Sequence, residues 1–310
     1  MKKLNKTTLF LILTFVISFS AAGIFRLSGG QYQKPGGMIL SVCYMFIPMI
    51  SVLIVEKLIH KENIRSELHV SFKINPWFFV AWFITPVISF GAFGISLLFA
   101  DVTYSPDMAG IIARFESMLN PEQIEKIKDS LETLPVHPVW LALGEGLIAG
   151  ITINAVAGFG EELGWRGFLL KQFENMSFFK ASIIIGFIWG IWHAPIILMG
   201  HNYPQHPQIG VLMMTTWCIL LTPLFVYITI RSRSVIAAAI THGTLNATAG
   251  IAIMLIAGGN DLTVGVTGLA GFLSLIIILT VLFIYDTLIS RKNIMTNKIS
   301  HSFNLSTETK

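Results

Sequence analysis

The run Glu161-Glu162-Leu163-Gly164-Trp165-Arg166 places two adjacent carboxylates and an arginine beside a long apolar segment. Two further apolar segments carry His193 and the pair His242 and Asn246. Ionisable groups at membrane depth are costly, so they mark function more often than packing. A carboxylate, two imidazoles and a carboxamide are the groups that activate water and stabilise an oxyanion. The residues therefore predict hydrolytic chemistry inside an apolar environment.

The spacing within the first run predicts different roles for its two carboxylates. On a helix, Glu162 and Arg166 are four residues apart with the acid first, the favourable order for an ion pair. Glu161 is rotated by about 100° from its neighbour, so it stays available to take a proton. An exposed ion pair at a helix end is the plainer interpretation, but glycines favour close helix packing. The glycines of this segment are Gly160, Gly164 and Gly167.

The two histidine elements each have a simpler explanation when taken alone. His193 follows Trp189 by four residues, which puts an imidazole and an aromatic ring on one helix face. His242 and Asn246 are also four apart, as expected for a hydrogen-bonding pair between helices. The three elements together favour one shared site.

The composition identifies the class of protein that must position these residues. Apolar residues make up 54% of the 310-residue chain and charged residues 12%, against about 25% charged residues in soluble domains. This predicts an all-α, polytopic transmembrane helical bundle. Stretches of roughly 17 to 25 apolar residues give eight predicted spans: 8–25, 37–55, 77–100, 139–159, 181–199, 209–230, 235–256 and 264–285.

The distribution of Lys and Arg predicts the orientation of the bundle. With the N-terminus inside, sixteen of the 21 Lys and Arg residues fall in inner segments. The five outer ones are Arg26, Lys34, Arg114, Lys126 and Lys128. Both termini are therefore expected in the cytoplasm. The basic excess reflects topology and anionic lipid headgroups, and nothing indicates nucleic-acid binding.

The chain divides into one membrane domain, 1–286, and a cytoplasmic polar tail, 287–310. Within the domain, 139–256 holds the residues with chemical potential. Residues 101–138 form an extracytoplasmic loop with two expected amphipathic helices, broken at Pro121, whose apolar positions include Met118 and Leu119. Counted from the cytoplasmic ends, Glu161 begins close to the surface, His242 lies about 10 Å deep and His193 nearer 20 Å. Convergence requires either that the fourth helix continues past Phe159 or that the fifth starts later than its hydropathy suggests. We expect a water-filled cavity that opens to the cytoplasm.

The three elements jointly resemble the motifs of the CPBP intramembrane proteases, the group of CAAX-processing, bacteriocin-processing and abortive-infection proteins. They are Glu161-Glu162-x-x-x-Arg166, Trp189-x-x-x-His193 and His242-x-x-x-Asn246. The second motif of that family usually begins with phenylalanine, here Trp189, which keeps an aromatic wall.

The resemblance implies a role for each residue. Glu161 would be the general base for the attacking water, His193 and His242 would assist, and Asn246 would help to bind the oxyanion. Supporting roles that orient the first motif would fall to Glu162 and Arg166.

The sequence leaves the metal question open. His193, His242 and Glu161 satisfy the ligand count of a catalytic zinc site, but no HExxH helix is present. We expect glutamate-activated water without a cofactor, and activity that survives chelation.

The expected partners are the lipid bilayer and a peptide, a bacteriocin precursor or a membrane protein as substrate, in a prokaryotic plasma membrane. Two other functions remain open. Glu145, Glu161 and the histidines could form the proton relay of a transporter. A noncatalytic peptide-binding or immunity protein could use the same fold.

Overall fold

The computed structural model describes residues 5–115 and 121–305 and confirms a polytopic helical bundle. Its first half contains α1 (Lys6–Leu27), α2 (Pro35–Val52), α3 (Ile64–Glu67), α4 (Pro76–Ser96), β1 (Val102–Tyr104), α5 (Ala109–Phe115) and α6 (Pro121–Thr133). Its second half contains α7 (Pro138–Ile151), α8 (Ile153–Glu162), α9 (Leu170–Gln172), α10 (Phe178–Trp192), α11 (Ala194–Ile197), α12 (Pro207–Ser232), α13 (Val235–Thr248), α14 (Ile251–Met254), β2 (Ile256–Gly258), α15 (Leu269–Ile284) and α16 (Ile299–Leu305).

All eight predicted apolar segments are helical over most of their length. Among the described residues, six helices are long and apolar enough to span a membrane. The fourth segment is a bent pair, Pro138–Ile151 with Ile153–Gln172, at an angle of 51°, and the fifth is the shorter Phe178–Trp192. The number of true crossings stays a prediction.

The helices of the third and seventh segments end before the predicted boundaries, at Ser96 and Met254. β1 pairs antiparallel with β2, Thr103 opposite Ala257. This small sheet joins the loop 97–137 to the segment that follows α14. α5 and α6 correspond to the two helices expected in that loop, while Met118 and Leu119 lie outside the described residues.

The helices alternate in direction, which gives the bundle two ends. We call the end formed by residues 5–6, 53–75, 171–180, 231–234 and 290–305 the basic end. The end formed by residues 26–34, 97–115, 121–137, 198–208 and 255–268 is the open end. Contacts join the loops within each end: Asn75 Nδ2 donates to Ser232 O at 3.0 Å at the basic end. Tyr32 Oη lies 2.9 Å from His201 Nδ1 at the open end.

Charge separates these two ends. Twelve described Lys and Arg residues lie at the basic end, namely Lys6, Lys57, Lys61, Arg65, Lys73, Lys171, Lys180, Arg231, Arg233, Arg291, Lys292 and Lys298. Five lie at the open end, and Lys2, Lys3 and Lys310 are outside the described residues. Counting Arg166 among the cytoplasmic loop charges was wrong, because it is fully buried inside the bundle.

The segment predicted as a polar tail packs against the basic end over its described part. Ile294 and Ile299 are fully buried. Phe178 N donates to Asn297 O at 2.9 Å, and Ile299 N donates to Met176 O at 3.1 Å. Buried Asp286 accepts hydrogen bonds from Tyr227 Oη at 3.0 Å and Met295 N at 2.9 Å.

Candidate active site

The helix that carries the paired carboxylates runs through the middle of the bundle. α8 continues past Phe159 into the π-helical segment Leu163–Leu169 and α9, and residues 160–170 are all buried. Single π-helical turns are common at functional sites. Glu161 lies eleven residues before the end of this helix at Gln172, about 16 Å at 1.5 Å per residue. Of the two predicted routes to convergence, the structure shows the continuation of the fourth helix, and the fifth begins earlier than predicted, at Phe178. The expectation that Glu161 lies close to the surface was wrong.

Glycine lets this helix approach its neighbour closely. A Cβ atom on Gly160 would lie 2.6 Å from Met45 O, and one on Gly164 would lie 2.7 Å from Pro48 Cβ. α8 and its continuation therefore press against α2, as the glycines predicted. Gly167 makes ordinary contacts only. The close packing fixes the height of Glu161 in the bundle.

Glu161 is held on one side only. Its Oε2 accepts a hydrogen bond from Trp189 Nε1 at 2.7 Å and a longer one from Trp165 Nε1 at 3.4 Å. Within the described chain no hydrogen bond reaches Oε1, and the residue lines a cavity. The carboxylate is oriented by two indoles and keeps one oxygen for a ligand.

Glu162 is fully buried with Arg166. Arg166 Nη1 donates to Glu162 Oε1 at 3.1 Å, as the helical spacing predicted. His242 Nδ1 lies 2.8 Å from the same oxygen. Because a buried charge needs a partner and hydrogen bonds, this three-residue network is a structural unit that fixes the His242 ring.

The guanidinium of Arg166 fills the centre of the bundle. It lies between two aromatic faces, 4.3 Å from the Trp189 ring centroid and 4.5 Å from that of Phe225. Its Nη2 donates to Thr222 Oγ1 at 3.1 Å. Cation–π contacts of this kind are stronger when the cation is removed from water. Sequence reasoning missed Thr222 and Phe225, which lie on α12 and share no motif with Arg166.

The hydrogen bonds of the two imidazoles define which nitrogen atoms remain available. His242 Nδ1 faces the Glu162 carboxylate, and His193 Nδ1 lies 2.8 Å from Trp189 O. Because a carboxylate and a carbonyl only accept hydrogen bonds, Nδ1 carries the proton in both rings. In a neutral ring, Nε2 then has a free lone pair. His242 Nε2 lies 3.9 Å from Glu161 Oε1, a separation that one water can bridge.

Asn246 contributes a carboxamide one helical turn beyond His242 on α13. Its side chain is exposed to the cavity. Among the described residues none engages this side chain in a hydrogen bond. Its amide is available as a donor to a bound carbonyl oxygen.

The four residues with predicted catalytic roles share one cavity of about 910 Å³. The prediction that Glu161, His193, His242 and Asn246 line a common cavity is confirmed. Their catalytic roles stay predictions. Much of the remaining wall is aromatic, from Tyr32, Tyr44, Trp189, Trp192 and Trp217.

The cavity reaches the open end and not the basic end. Its outer wall comes from four segments of the open end, which contribute Gln33, Arg114, Gln205 and Asp261. The expectation of a cavity opening to the cytoplasm therefore conflicts with the orientation predicted from Lys and Arg. The predicted depth of each residue was measured from the basic end. In the structure, His193 and Asn246 lie in the helical turns nearest the open end.

Side-chain contacts between loops shape the cavity mouth. Asp261 accepts from Gln205 N at 2.7 Å and lies 2.6 Å from His206 Nδ1. Burial lowers the pKa of His201 to about 4, so this ring is neutral at physiological pH when it pairs with Tyr32. The rim is fixed by hydrogen bonds.

The spacing of the donor set does not match a metal site. Among the described residues, no group of three His, Cys, Asp or Glu side chains lies at metal-binding spacing. His193 and His242 each bond Nδ1 to a protein acceptor and leave Nε2 open, as metal-ligating histidines also do. The separation of the side chains, and not their tautomers, therefore argues against a metal.

Comparison with known proteins agrees with this site. Residues 143–248 match the family described as type II CAAX prenyl endopeptidase Rce1-like. Over 44 residues the chain is 46% identical to CAAX prenyl protease 2 of Methanococcus maripaludis. The resemblance to the CPBP proteases is confirmed. The alignment covers 14% of this chain and 16% of that relative.

The matched region of the CPBP-like core runs from α7 to the end of α13. It contains all three motifs and therefore every residue assigned a role above. The similarity is therefore confined to the part of this multi-pass chain that holds the candidate site.

Proposed function

We propose that the protein is an intramembrane endopeptidase of a prokaryotic plasma membrane that cleaves a peptide or a membrane protein with water activated by Glu161. One observation carries the proposal. A buried carboxylate with one fixed and one unengaged oxygen faces a cavity that also exposes Asn246 and two imidazoles. These are the parts of a hydrolytic site, brought together from three separate helices.

The geometry suggests a sequence of proton transfers. Glu161 Oε1 takes a proton from a water held between it and His242 Nε2, and the water oxygen attacks the carbonyl carbon of the substrate. Asn246 Nδ2 donates to the resulting oxyanion. Glu161 then returns the proton to the amide nitrogen as the C–N bond breaks, which yields a carboxyl and an amine terminus. His193 Nε2 is a further acceptor in the cavity for the substrate or its water.

The transporter alternative depends on Glu145 joining the same relay. Glu145 is exposed on the outer surface of α7 and is not among the cavity-lining residues. The relay therefore lacks the second carboxylate that suggested it. A noncatalytic binding protein stays the main alternative, because an aromatic cavity holds a peptide with or without cleavage.

The experiment compares peptide termini in cells that produce the wild type, Glu161→Gln or Glu145→Gln. New N-termini in membrane and secreted fractions are identified by mass spectrometry. We expect a set that is present with the wild type and Glu145→Gln and absent with Glu161→Gln. Glu145→Gln is the matched control, since it removes a carboxylate of the same bundle that lies outside the cavity.

The contrary result is equally clear. If Glu161→Gln is folded and gives the same termini as the wild type, the protein is not a glutamate-dependent protease. A peptide that copurifies equally with both proteins would then favour the noncatalytic binding function.

A further inference from the structure

The walls of the cavity come almost entirely from the half of the bundle nearest the open end. Tyr44 lies in the half of α2 nearest the open end, Trp217 in the first half of α12 and Asn246 near the end of α13. Above them, the lining continues through Gln33 and Asp261 to the surface. A peptide therefore has a continuous route from the open end to Glu161.

On the other side of Glu161, the bundle is tightly packed. Trp165, Phe168 and Leu169 are fully buried between the site and the basic end, together with Arg166. Loops close over this layer: Val235 N donates to His69 O at 3.0 Å. None of the described residues that line the cavity lies at the basic end.

The charges of the two ends relate this geometry to the membrane. Twelve of the described Lys and Arg residues lie at the basic end and five at the open end. Such an excess marks the cytoplasmic side of a multi-pass protein. The closed end is then the cytoplasmic one, and the mouth of the cavity faces away from the cytoplasm.

We infer that the site receives its substrate from the extracytoplasmic side. The substrate class is an exported peptide, or the extracytoplasmic segment of a membrane protein, with apolar or aromatic side chains that suit the aromatic wall. This inference rests on the proposed endopeptidase function, because only an enzyme has a substrate. The side from which the cavity is reached does not depend on catalysis.

The first test measures accessibility in intact cells with a membrane-impermeant thiol reagent. Three single-cysteine variants are made in a Cys43→Ser, Cys218→Ser background: Gln208→Cys at the open end, Lys73→Cys at the basic end and Ile253→Cys in the cavity wall. Gln208 and Lys73 are both exposed, which makes them a matched pair. We expect Gln208→Cys and Ile253→Cys to react in intact cells and Lys73→Cys only after permeabilisation.

The labelling also gives the contrary outcome. If Lys73→Cys reacts in intact cells and Gln208→Cys does not, the orientation is reversed and the inference is wrong. If Gln208→Cys reacts but Ile253→Cys requires permeabilisation, the cavity is reached from the other side and the inference is also wrong. The same labelling in Glu161→Gln shows that the result does not need turnover. Variants that fail to accumulate are replaced by Asn202→Cys and Lys180→Cys, which lie at the same two ends.

The second test uses the peptide termini that disappear with Glu161→Gln. Cleavage sites in exported peptides or extracytoplasmic segments support the inference, and sites in cytoplasmic segments overturn it. If no new peptide terminus depends on Glu161, the endopeptidase proposal fails. The cysteine labelling still shows which side of the membrane the cavity faces. The two proposals therefore fail in different measurements.

Discussion

The half of the bundle nearest the open end and the half nearest the basic end treat their buried polar groups differently. Toward the basic end, Glu162 is paired with Arg166, and Asp286 is bonded to Tyr227 and a backbone amide. Toward the open end, Glu161 Oε1 and the Asn246 carboxamide have no hydrogen-bond partner within the described chain. Both groups face the cavity, so the open half is where an external partner is expected. Ionised groups that are paired with each other hold the fold, and polar groups that face the cavity without a protein partner mark the chemistry.

The largest expected effect separates the two adjacent glutamates. Glu161→Gln should lower turnover by about 10²- to 10⁴-fold, the usual contribution of a general base. Its thermal unfolding should stay close to that of the wild type, because Gln also accepts from the Trp189 indole. Cleavage rate and Tm in detergent check both statements. If the substitution instead lowers Tm and the folded protein keeps its activity, Glu161 has a structural role like that of Glu162.

On the paired side, Arg166→Met should destabilise the protein by about 3 to 5 kcal/mol, because the buried Glu162 charge loses its partner. Unfolding monitored by circular dichroism in detergent measures the change. Lys180→Met, at an exposed position of the basic end, is the control and should have little effect. Equal stability of the two variants would show that the buried pair contributes nothing to the fold.

The oxyanion role of Asn246 gives an intermediate effect. Asn246→Ala should reduce kcat by about 10²- to 10³-fold, the usual effect of losing one oxyanion donor, with KM nearly unchanged. Steady-state kinetics on a peptide identified through its new termini provide the measurement. A rise in KM alone would make Asn246 a substrate-binding group.

The indole of Trp189 predicts a smaller effect. Trp189→Phe restores the phenylalanine usual in the resembled family but removes the donor to Glu161 Oε2, a charge-assisted bond of about 1.5 to 3 kcal/mol. We expect kcat to fall by about tenfold or more. Trp217→Phe is the matched control, because Trp217 lines the same cavity and none of the described residues forms a hydrogen bond with its Nε1. If kcat falls equally in both variants, the shape of the cavity wall matters and not the hydrogen bond to Glu161.

The smallest expected effect follows from the donor geometry of the site. Exhaustive chelation should leave the cleavage rate unchanged, because no three His, Cys, Asp or Glu side chains of the described residues lie at metal-binding spacing. Metal content by mass spectrometry accompanies the kinetics. Stoichiometric zinc, with activity lost on its removal and regained on its return, would make His193, His242 and Glu161 ligands.

Much of the fold and of the site follows from sequence patterns that are local. Helical spacing predicted the Glu162–Arg166 pair, and the motifs correctly placed Glu161, His193, His242 and Asn246 around one cavity. The side on which the cavity opens could not be predicted, since it depends on how far α8 continues into the bundle. The bond between His242 and Glu162 joins residues 80 positions apart, and no periodicity reports such a contact. The sequence predicted Trp189 only as part of an aromatic wall. Its hydrogen bond to Glu161 could not be predicted, because the sequence does not give the direction of the indole N–H.

The packing of the last residues against the segment 173–178 has a consequence for biosynthesis. Asn297 O and the amides of Ile299 and Ser300 bond to backbone groups of residues 174–178, which precede them by more than 100 positions. These bonds form only after residues 297–300 have been synthesised, so the basic end closes later than the helices that precede them. During that interval Phe178 N and the carbonyls of Glu174 and Met176 lack these partners.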